Sequence, residues 1–248
     1  MFDAKTIRIL HFTSINSTNT WAKNHSHEFD PTALTCIISD TQTAGRGQRD
    51  KKWYSPLGNL YTTLYFILPK DFPYVANLGQ TVGLSVAQTL EEFGFTPSLK
   101  WPNDILLKEK KVGGILSEVH PLDEGLAVIL GVGLNVDIPE EQLAHLDQAA
   151  TSLSAHSQSP PKLTSLLERI LHNFLPNIDK LRDCGFSGLV EEYNRLLAFQ
   201  GQDVTFSSAS STLDAVLEKI DDQGSLILVC QDGTRRAFAS GLLRKKER

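Results

Sequence analysis

The chain has 248 residues, of which 41% are hydrophobic and 21% charged, the composition of an ordinary soluble globular protein. Its 24 basic and 29 acidic residues give a formal net charge of −5, which excludes a global positive field that would attract nucleic acid. The three cysteines form no Cys-x-x-Cys pair, and no apolar run approaches the roughly 18 residues of a membrane-spanning helix. With no signal peptide at the N-terminus, we expect a cytoplasmic protein without a membrane partner.

The first part of the chain alternates predicted strands with predicted helices. Apolar residues rich in β-formers predict strands over 7–12, 33–39 and 59–68. Ser17 is a preferred N-cap residue and begins a helix-compatible stretch that reaches residue 27. A second helix is predicted over 73–93, with Pro73 near its first turn.

Short strands and then helices are predicted in the middle of the chain. The strands cover 98–101, 105–107, 111–119 and a nearly continuous apolar run over 126–136. A surface loop over 147–161 precedes a helix whose apolar face runs from Leu163 to Ile178. Pro176 lies inside that pattern and predicts a kink or the end of the helix, and a further helical piece covers 186–197.

From residue 200 the pattern changes to short strands over 203–206, 213–220, 225–230 and 234–240, which predict a small β-barrel. Sequential strands with inserted helices favour an α+β fold with a mixed sheet. We therefore expect a larger domain over 1–198 and a small C-terminal domain over 199–248.

Residues 43–56 form a polar, glycine-containing segment with a local charge opposite to that of the whole chain. Four basic residues against one acidic residue give a formal charge of +3. Gly45 and Gly47 let the backbone approach a ligand, and free N–H groups there can hold an anion. The motif matches neither a dinucleotide-binding fingerprint nor a P-loop, and on its own it also fits a mobile polar loop.

Two other motifs permit a functional and a structural interpretation. Lys100 ends a predicted strand beside Trp101, and Pro102 with two turn formers makes a rigid corner that suits an electrostatic catalyst. A solvated lysine with its stem on a ring is the alternative. Gly131 and Gly133 within a strand indicate either ligand contact with the backbone or close sheet packing. Histidine and cysteine spacings predict no zinc site.

Six motifs in a fixed order resemble the biotin–protein ligase family. They are STN at 17–19, QTAGRG at 42–47, Trp53 with SP at 55–56, KWPND at 100–104, KVGGIL at 111–116 and GVGLNV at 131–136. The resemblance extends from about residue 10 to residue 155, and the small C-terminal β unit is similar as well. It implies a mixed sheet related to class II aminoacyl-tRNA synthetases, followed by an SH3-like barrel.

The resemblance also implies a reaction and its residues. Biotin and ATP give biotinyl-5′-adenylate, from which biotin passes to one lysine of apo biotin carboxyl carrier protein, a subunit of acetyl-CoA carboxylase. Mg²⁺ is expected with ATP, and the resemblance does not identify the residues that bind it. The protein is expected to be a monomer or homodimer. Lys100 and Arg46 are implied as catalytic. The implied biotin-binding residues are Ser17, Thr18, Asn19, Gln42, Gly45, Arg46, Gly47, Gln48, Lys100 and Gly114. The implied nucleotide-binding residues are Arg46, Trp53, Lys100, Lys111 and Asn135.

Two departures from the family pattern carry expectations. Many members have arginine where this chain has Gln48, so we expect weaker retention of the adenylate. Too few residues precede the first predicted strand for a DNA-binding helix-turn-helix, so we expect a short form without a nucleic-acid partner. A lipoate or octanoate ligase or transferase of the same fold is the enzymatic alternative, although no Ser-Gly-Gly-Gly segment with a following His-Asp pair is present. A non-catalytic sensor or adaptor is the other alternative.

Overall fold

The computed structural model describes residues 6–123, 125–146, 148–208 and 211–246. A seven-stranded sheet has the order β1-β2-β3-β7-β6-β5-β4. Its strands are β1 (Ile7–Ile15), β2 (Leu34–Gln42), β3 (Leu60–Leu68), β4 (Pro97–Lys100), β5 (Asp104–Leu107), β6 (Lys110–Leu122) and β7 (Gly125–Leu134). Strands β1 and β2 are parallel and the other neighbours are antiparallel. The predicted mixed sheet is therefore confirmed.

Helices cover both faces of this sheet. They are α1 (Thr18–Asn24), α2 (Leu78–Glu92), α3 (Glu140–Leu143), α4 (Leu163–Cys184) and α5 (Val190–Arg195). Side chains alternate between the two faces along β3. Leu64 and Phe66 belong to the main core, whereas Tyr65 packs in a smaller cluster with Ala22 of α1. Phe66 and Phe174 of α4 have ring centroids 6.0 Å apart, so α4 covers the main core opposite α1. None of the helices within the described ranges is both long and apolar enough to span a membrane.

The prediction for Pro73 is wrong, and so is one of the two outcomes predicted for Pro176, the end of the helix. Pro73 does not lie in the first turn of α2, because a 3₁₀ turn over Val75–Asn77 comes first and α2 begins at Leu78. Pro176 does not end α4, which continues to Cys184. A proline inside a helix costs about 3 kcal/mol. Buried Phe174, Ile178 and Leu181 lie on both sides of Pro176, and each fully buried side chain of this size contributes about 1.5–3 kcal/mol.

The C-terminal residues form a five-stranded antiparallel sheet of order β11-β10-β9-β8-β12. Its strands are β8 (Asp203–Ser207), β9 (Thr212–Ile220), β10 (Leu226–Cys230), β11 (Arg235–Phe238) and β12 (Leu242–Lys245). The predicted β unit is confirmed, and β12 is an additional strand because two leucines amid charged residues gave no pattern. One hydrophobic core includes residues of both sheets, among them Trp101 and Phe206. The boundary after residue 198 stays a prediction.

Candidate active site

A cavity of about 50 Å³ lies between the start of α1, the end of β2, strands β6 and β7, and the loop over 43–56. Ten of the thirteen predicted site residues line it. They are Ser17, Thr18, Asn19, Gln42, Arg46, Gly47, Gln48, Trp53, Lys111 and Gly114. Three others do not line it: Gly45, Lys100 and Asn135. Motifs that are far apart in the sequence therefore meet in one place.

The amide of Gln42 joins the start of α1 to the far end of the loop. Ser17 caps α1 by accepting a hydrogen bond from the N–H of Thr20, which confirms its predicted capping role. Gln42 Oε1 accepts from the backbone N–H of Thr18 at 2.9 Å and from its hydroxyl at 3.3 Å. Gln42 Nε2 donates to Ser55 Oγ at 2.9 Å. The polar groups at this end of the cavity thus have fixed positions.

Asn19 is buried on the cavity wall with both ends of its amide bonded. Its Oδ1 accepts from Thr63 Oγ1 at 2.6 Å, and its Nδ2 donates to Glu118 Oε2 at 2.9 Å and to the Leu116 carbonyl at 3.2 Å. A Cβ on Gly131 would lie 2.3 Å from Asn19 Oδ1. The glycine at 131 in β7 therefore makes room for a bonded asparagine, which is the close-packing interpretation of this motif.

The loop after β2 folds back on itself as a small hairpin. The N–H of Trp53 donates to the carbonyl of Gly45 at 2.9 Å, and that of Gly47 donates to the carbonyl of Lys51 at 2.7 Å. A Cβ on Gly45 would lie 2.5 Å from Ser55 Oγ, so this glycine is enclosed by the loop and lies outside the cavity wall. The loop has its own backbone hydrogen bonds, which composition did not predict.

Glu118 of β6 holds this hairpin through Arg46, and sequence analysis missed it. Arg46 Nη2 lies 3.0 Å from Glu118 Oε1, and Nη1 lies 3.2 Å from Oε2, a two-point contact. The same carboxylate accepts from Asn19, so it connects the loop to the cavity wall. A glutamate in an alternating strand carries no signal for such a role, since the partner lies 72 residues away.

Glu118→Gln is expected to loosen the loop. The Arg46 side chain is 42% exposed, so the charge contribution is about 0.5–1 kcal/mol, or a two- to fivefold increase in loop opening. Trypsin cleavage at the basic residues of the loop, followed by mass spectrometry, measures that opening. Glu109→Gln is the matched control, because its exposed pair with Lys245 lies outside the loop. Equal cleavage rates in both variants would contradict a latch between Arg46 and Glu118.

The indole of Trp53 occupies the middle of the site. A Cβ on Gly133 would lie 2.5 Å from Trp53 Cε2, and Lys111 Nζ lies 5.2 Å from the centroid of a Trp53 ring. The indole Nε1 is buried and has no hydrogen-bond partner. Small-molecule sites usually measure about 300–1,000 Å³, far more than the volume of this first cavity. A small molecule can therefore bind here only if the loop and its indole move.

A second cavity, of about 360 Å³, lies on the other side of Trp53 and Lys111. Both residues line both cavities. Lys51 and Lys52 add positive charge to the second one, and Asn135 lines it as well. The side chain of Asn135 donates to the carbonyl of Thr151 at 3.0 Å. This lysine-lined space suits an anion, because clefts lined by one sign of charge attract the opposite charge.

Lys100 lies at the end of β4 and reaches the site through Asp104. Its Nζ is 3.4 Å from Asp104 Oδ2, and Lys111 Nζ is 2.6 Å from Asp104 Oδ1. Asp104, predicted only as a turn residue, thus lies between two lysines. One carboxylate for two ammonium groups leaves a net positive charge at this edge of the cavities. Such a fixed charge stabilises negative charge that develops in a reaction.

The chain resembles proteins of one family in sequence and in structure. The sequence profile of the Biotin/lipoate A/B protein ligase family matches residues 11–135. The bifunctional ligase/repressor BirA of Bacillus spizizenii is 30% identical over 218 residues, which cover 84% of this chain and 65% of the relative. The chain thus spans just under two thirds of that relative. A biotin–[acetyl-CoA-carboxylase] ligase of Paracoccus denitrificans is 27% identical over 206 residues, 77% of this chain and 82% of the relative.

A solved structure agrees over nearly the whole chain. It is the biotin protein ligase from Aquifex aeolicus in complex with biotin and ATP, with a TM-score of 0.83 and 28% identity. The alignment covers 96% of this chain and 99% of that one. Both the sheet that carries the two cavities and the C-terminal sheet lie within this match.

Proposed function

Because the chain belongs to the biotin/lipoate A/B protein ligase family, we propose that it attaches biotin to a lysine of a biotin carboxyl carrier protein, using ATP. The observation that carries the proposal is the pair of cavities on either side of Trp53 and Lys111. Apart from the shared Lys111, the first is lined mainly by uncharged groups together with Arg46, which Glu118 holds, and the second adds Lys51 and Lys52. Biotin, a mostly uncharged ligand, suits the first, and the nucleotide suits the second.

Biotin binding in the first cavity rests on matched polar groups. The ureido ring of biotin has two N–H donors and one carbonyl acceptor on an otherwise apolar body. The hydroxyls of Ser17 and Thr18 and the amide of Gln42 supply partners of both kinds. A site built to pair those groups rejects an acid that lacks them, because its own buried groups would be left unsatisfied. This chemistry favours biotin over lipoate.

The nucleotide belongs in the second cavity, next to Lys51, Lys52 and Lys111. Asn135 offers an amide to the base or ribose, and the indole of Trp53 offers a ring face once the loop moves. Mg²⁺ accompanies ATP and neutralises part of its phosphate charge. The described residues contain no group of three candidate metal ligands.

In the first step the carboxylate oxygen of biotin attacks the α-phosphorus of ATP, and pyrophosphate leaves. Two anions must approach each other, and the ammonium groups of Lys100 and Lys111 offset their repulsion. Asp104 holds Lys111 at 2.6 Å, while its 3.4 Å contact with Lys100 is weak enough to be exchanged for a substrate oxygen. The closed loop then shields the mixed anhydride from water.

In the second step the ε-amine of the acceptor lysine attacks the acyl carbon of the adenylate. An amide bond forms, the bond to the phosphate oxygen breaks and AMP leaves. The amine must first lose a proton, since its ordinary pKa is about 10.4. The proposed domain division, 1–198 for the ligase unit and 199–248 for the C-terminal unit, places the adenylate chemistry in the first.

Mass spectrometry of an apo carrier domain incubated with the protein, biotin and MgATP tests the function. We expect one added biotinyl group, absent when ATP is omitted and absent in a carrier whose acceptor lysine is arginine. Lipoic and octanoic acid are offered in parallel reactions. Addition of either acid instead of biotin would identify the alternative ligase of the same family. Ligand binding without any transfer would identify a sensor.

Gln48→Arg is expected to reduce release of the free adenylate. Gln48 lines the first cavity and can offer a hydrogen bond without a charge, whereas an arginine would add a cation for the phosphate of the intermediate. A charge-assisted bond contributes about 1.5–3 kcal/mol, so we expect roughly tenfold less adenylate in the medium. Chromatography of filtered reactions without carrier measures it. Wild-type protein that releases no adenylate, and labels no unrelated lysines, would refute weak retention.

A further inference from the structure

A buried polar network links the residue after Lys100 to the C-terminal sheet. The indole Nε1 of Trp101 donates to the carbonyl of Gly224 at 3.1 Å, and Gln80 Nε2 donates to the same carbonyl at 2.9 Å. Asn77 Nδ2 donates to the carbonyl of Gln223 at 3.0 Å. Both acceptors lie in the turn between β9 and β10, whereas Gln80 belongs to α2, Asn77 ends the 3₁₀ turn just before α2, and Trp101 directly follows β4.

This network is buried and hydrogen-bonded, so its geometry is fixed. Asn77, Gln80 and Trp101 are all less than 7% exposed, and every polar side-chain atom of the three that lies in the contact has a partner. Breaking such a bond leaves a buried donor unsatisfied, which costs about 1–3 kcal/mol. The ring of Trp101 also lies 6.4 Å from that of Phe206 in β8. Trp101 therefore has two contacts with the C-terminal sheet.

The strand that carries Lys100 is held from a second side. The N–H of Leu99 donates to the carbonyl of Leu196 at 2.7 Å, and the N–H of Ala198 donates to the carbonyl of Leu99 at 2.9 Å. The segment that enters the C-terminal sheet thus pairs with β4, the edge strand of the larger sheet. Lys100 lies between this pairing and the Trp101 contact, while among the described residues its own ammonium pairs only with Asp104, at 3.4 Å.

We propose that the β9–β10 turn is a positioning element for Lys100: Gly224 holds Trp101, and Trp101 fixes the backbone from which the Lys100 ammonium reaches the reacting carboxylate and phosphate. The inference rests on the proposed function. It assigns to Gly224 and Trp101 an effect on the chemical step without contact with a substrate. A displacement of about 1 Å at a reacting centre costs up to 100-fold in rate.

Two glycines of the C-terminal sheet provide a matched test. Gly224 and Gly233 both lie in hairpin turns with φ of +80°. A Cβ at 224 would lie 2.3 Å from Asn77 Nδ2 and 2.4 Å from Gln80 Oε1, whereas one at 233 meets nothing within 4 Å. Gly224→Ala and Gly233→Ala thus share the backbone strain, and only the first disturbs the docking of the turn.

Biotin-dependent exchange of pyrophosphate into ATP, measured well below the melting temperature, is the readout. For Gly224→Ala we expect kcat to fall about tenfold or more while the KM values for biotin and ATP stay within about twofold. Gly233→Ala should keep the wild-type kcat. Trp101→Phe keeps an aromatic side chain, although a smaller one, and loses the N–H. It should repeat the fall in kcat, which decides the matter if Gly224→Ala does not fold.

The outcomes separate this inference from the proposed function. Wild-type protein without biotin-dependent exchange would refute the proposed function. The positioning role alone would be overturned by a different result. In that case the wild type is active, and Trp101→Phe and any folded Gly224→Ala have the same kcat as Gly233→Ala. A rise in KM with unchanged kcat would also overturn it, because the turn would then affect substrate binding and leave the chemical step intact.

Discussion

Lys100→Ala is expected to reduce biotin-dependent pyrophosphate release by about 100-fold or more, the usual loss when one group that stabilises transition-state charge is removed. The ammonium is the part of Lys100 that faces two mutually repelling anions in the proposed first step. Stopped assays with radiolabelled ATP measure the rate of adenylate formation, and circular dichroism measures the fold. We expect the melting temperature to change little, because Asp104 keeps its 2.6 Å contact with Lys111.

Lys110→Ala is the matched control for this experiment. Lys110 belongs to β6 of the same sheet, and its side chain is 50% exposed with a 3.8 Å contact to Glu140. Its loss should leave the rate unchanged, because exposed pairs contribute about 0–1 kcal/mol. Lys100→Arg keeps the charge but changes its shape and reach, so it should recover only part of the activity. An undiminished rate in Lys100→Ala would refute its assignment as a catalytic residue.

Apolar runs predicted the sheet, whereas the residues of the cavity wall were predicted from the resemblance to a ligase family. Strands β2, β3 and β7 appear as apolar runs, and ten of thirteen predicted site residues line one cavity. Those residues were found by the order of six motifs, each weak alone. Their common location follows from the fold, since the ends of β2 and the start of α1 lie beside the middle of β6 and β7.

Contacts between distant segments are what the sequence did not predict. Glu118 reaches Arg46 across 72 residues, and Trp101 reaches Gly224 across 123. Both pairs depend on how a loop or a hairpin turn docks, which hydrophobic periodicity does not encode. The predicted helix end at Pro176 failed for a similar reason: a local rule gave way to tertiary packing of α4.

The glycines at 131 and 133 had two possible interpretations, and the structure distinguishes them. The sequence allowed either ligand contact or close sheet packing, and the virtual Cβ lies 2.3 Å from Asn19 Oδ1. A Cβ on Gly133, two residues on, would lie 2.5 Å from Trp53 Cε2. Gly131 therefore makes room for Asn19 in the cavity wall, and Gly133 makes room for Trp53 of the loop. Periodicity alone cannot distinguish these two roles.

Gly131→Ala is expected to raise the Kd for biotin by about tenfold or more, the effect of losing one buried hydrogen bond at about 1–3 kcal/mol. The new methyl group would displace Asn19, which cannot turn away without breaking its bonds to Thr63, Leu116 or Glu118. Asn19 lies in the first turn of α1, so its movement also shifts Ser17 and Thr18, the proposed partners of the ureido ring. Isothermal titration with biotin alone measures the affinity without the chemical steps.

A double-mutant cycle shows whether the clash is the cause. Asn19→Ala loses the same hydrogen bonds but leaves room for a methyl group at 131, so adding Gly131→Ala to it should cost little more affinity. The pair would then be strongly non-additive, with the double variant close to Asn19→Ala alone. Additive losses, or wild-type affinity in Gly131→Ala, would show that Asn19 does not transmit the effect. The position of the Asn19 amide would then be irrelevant to biotin binding. Buried polar groups of the cavity wall would no longer explain a preference for biotin.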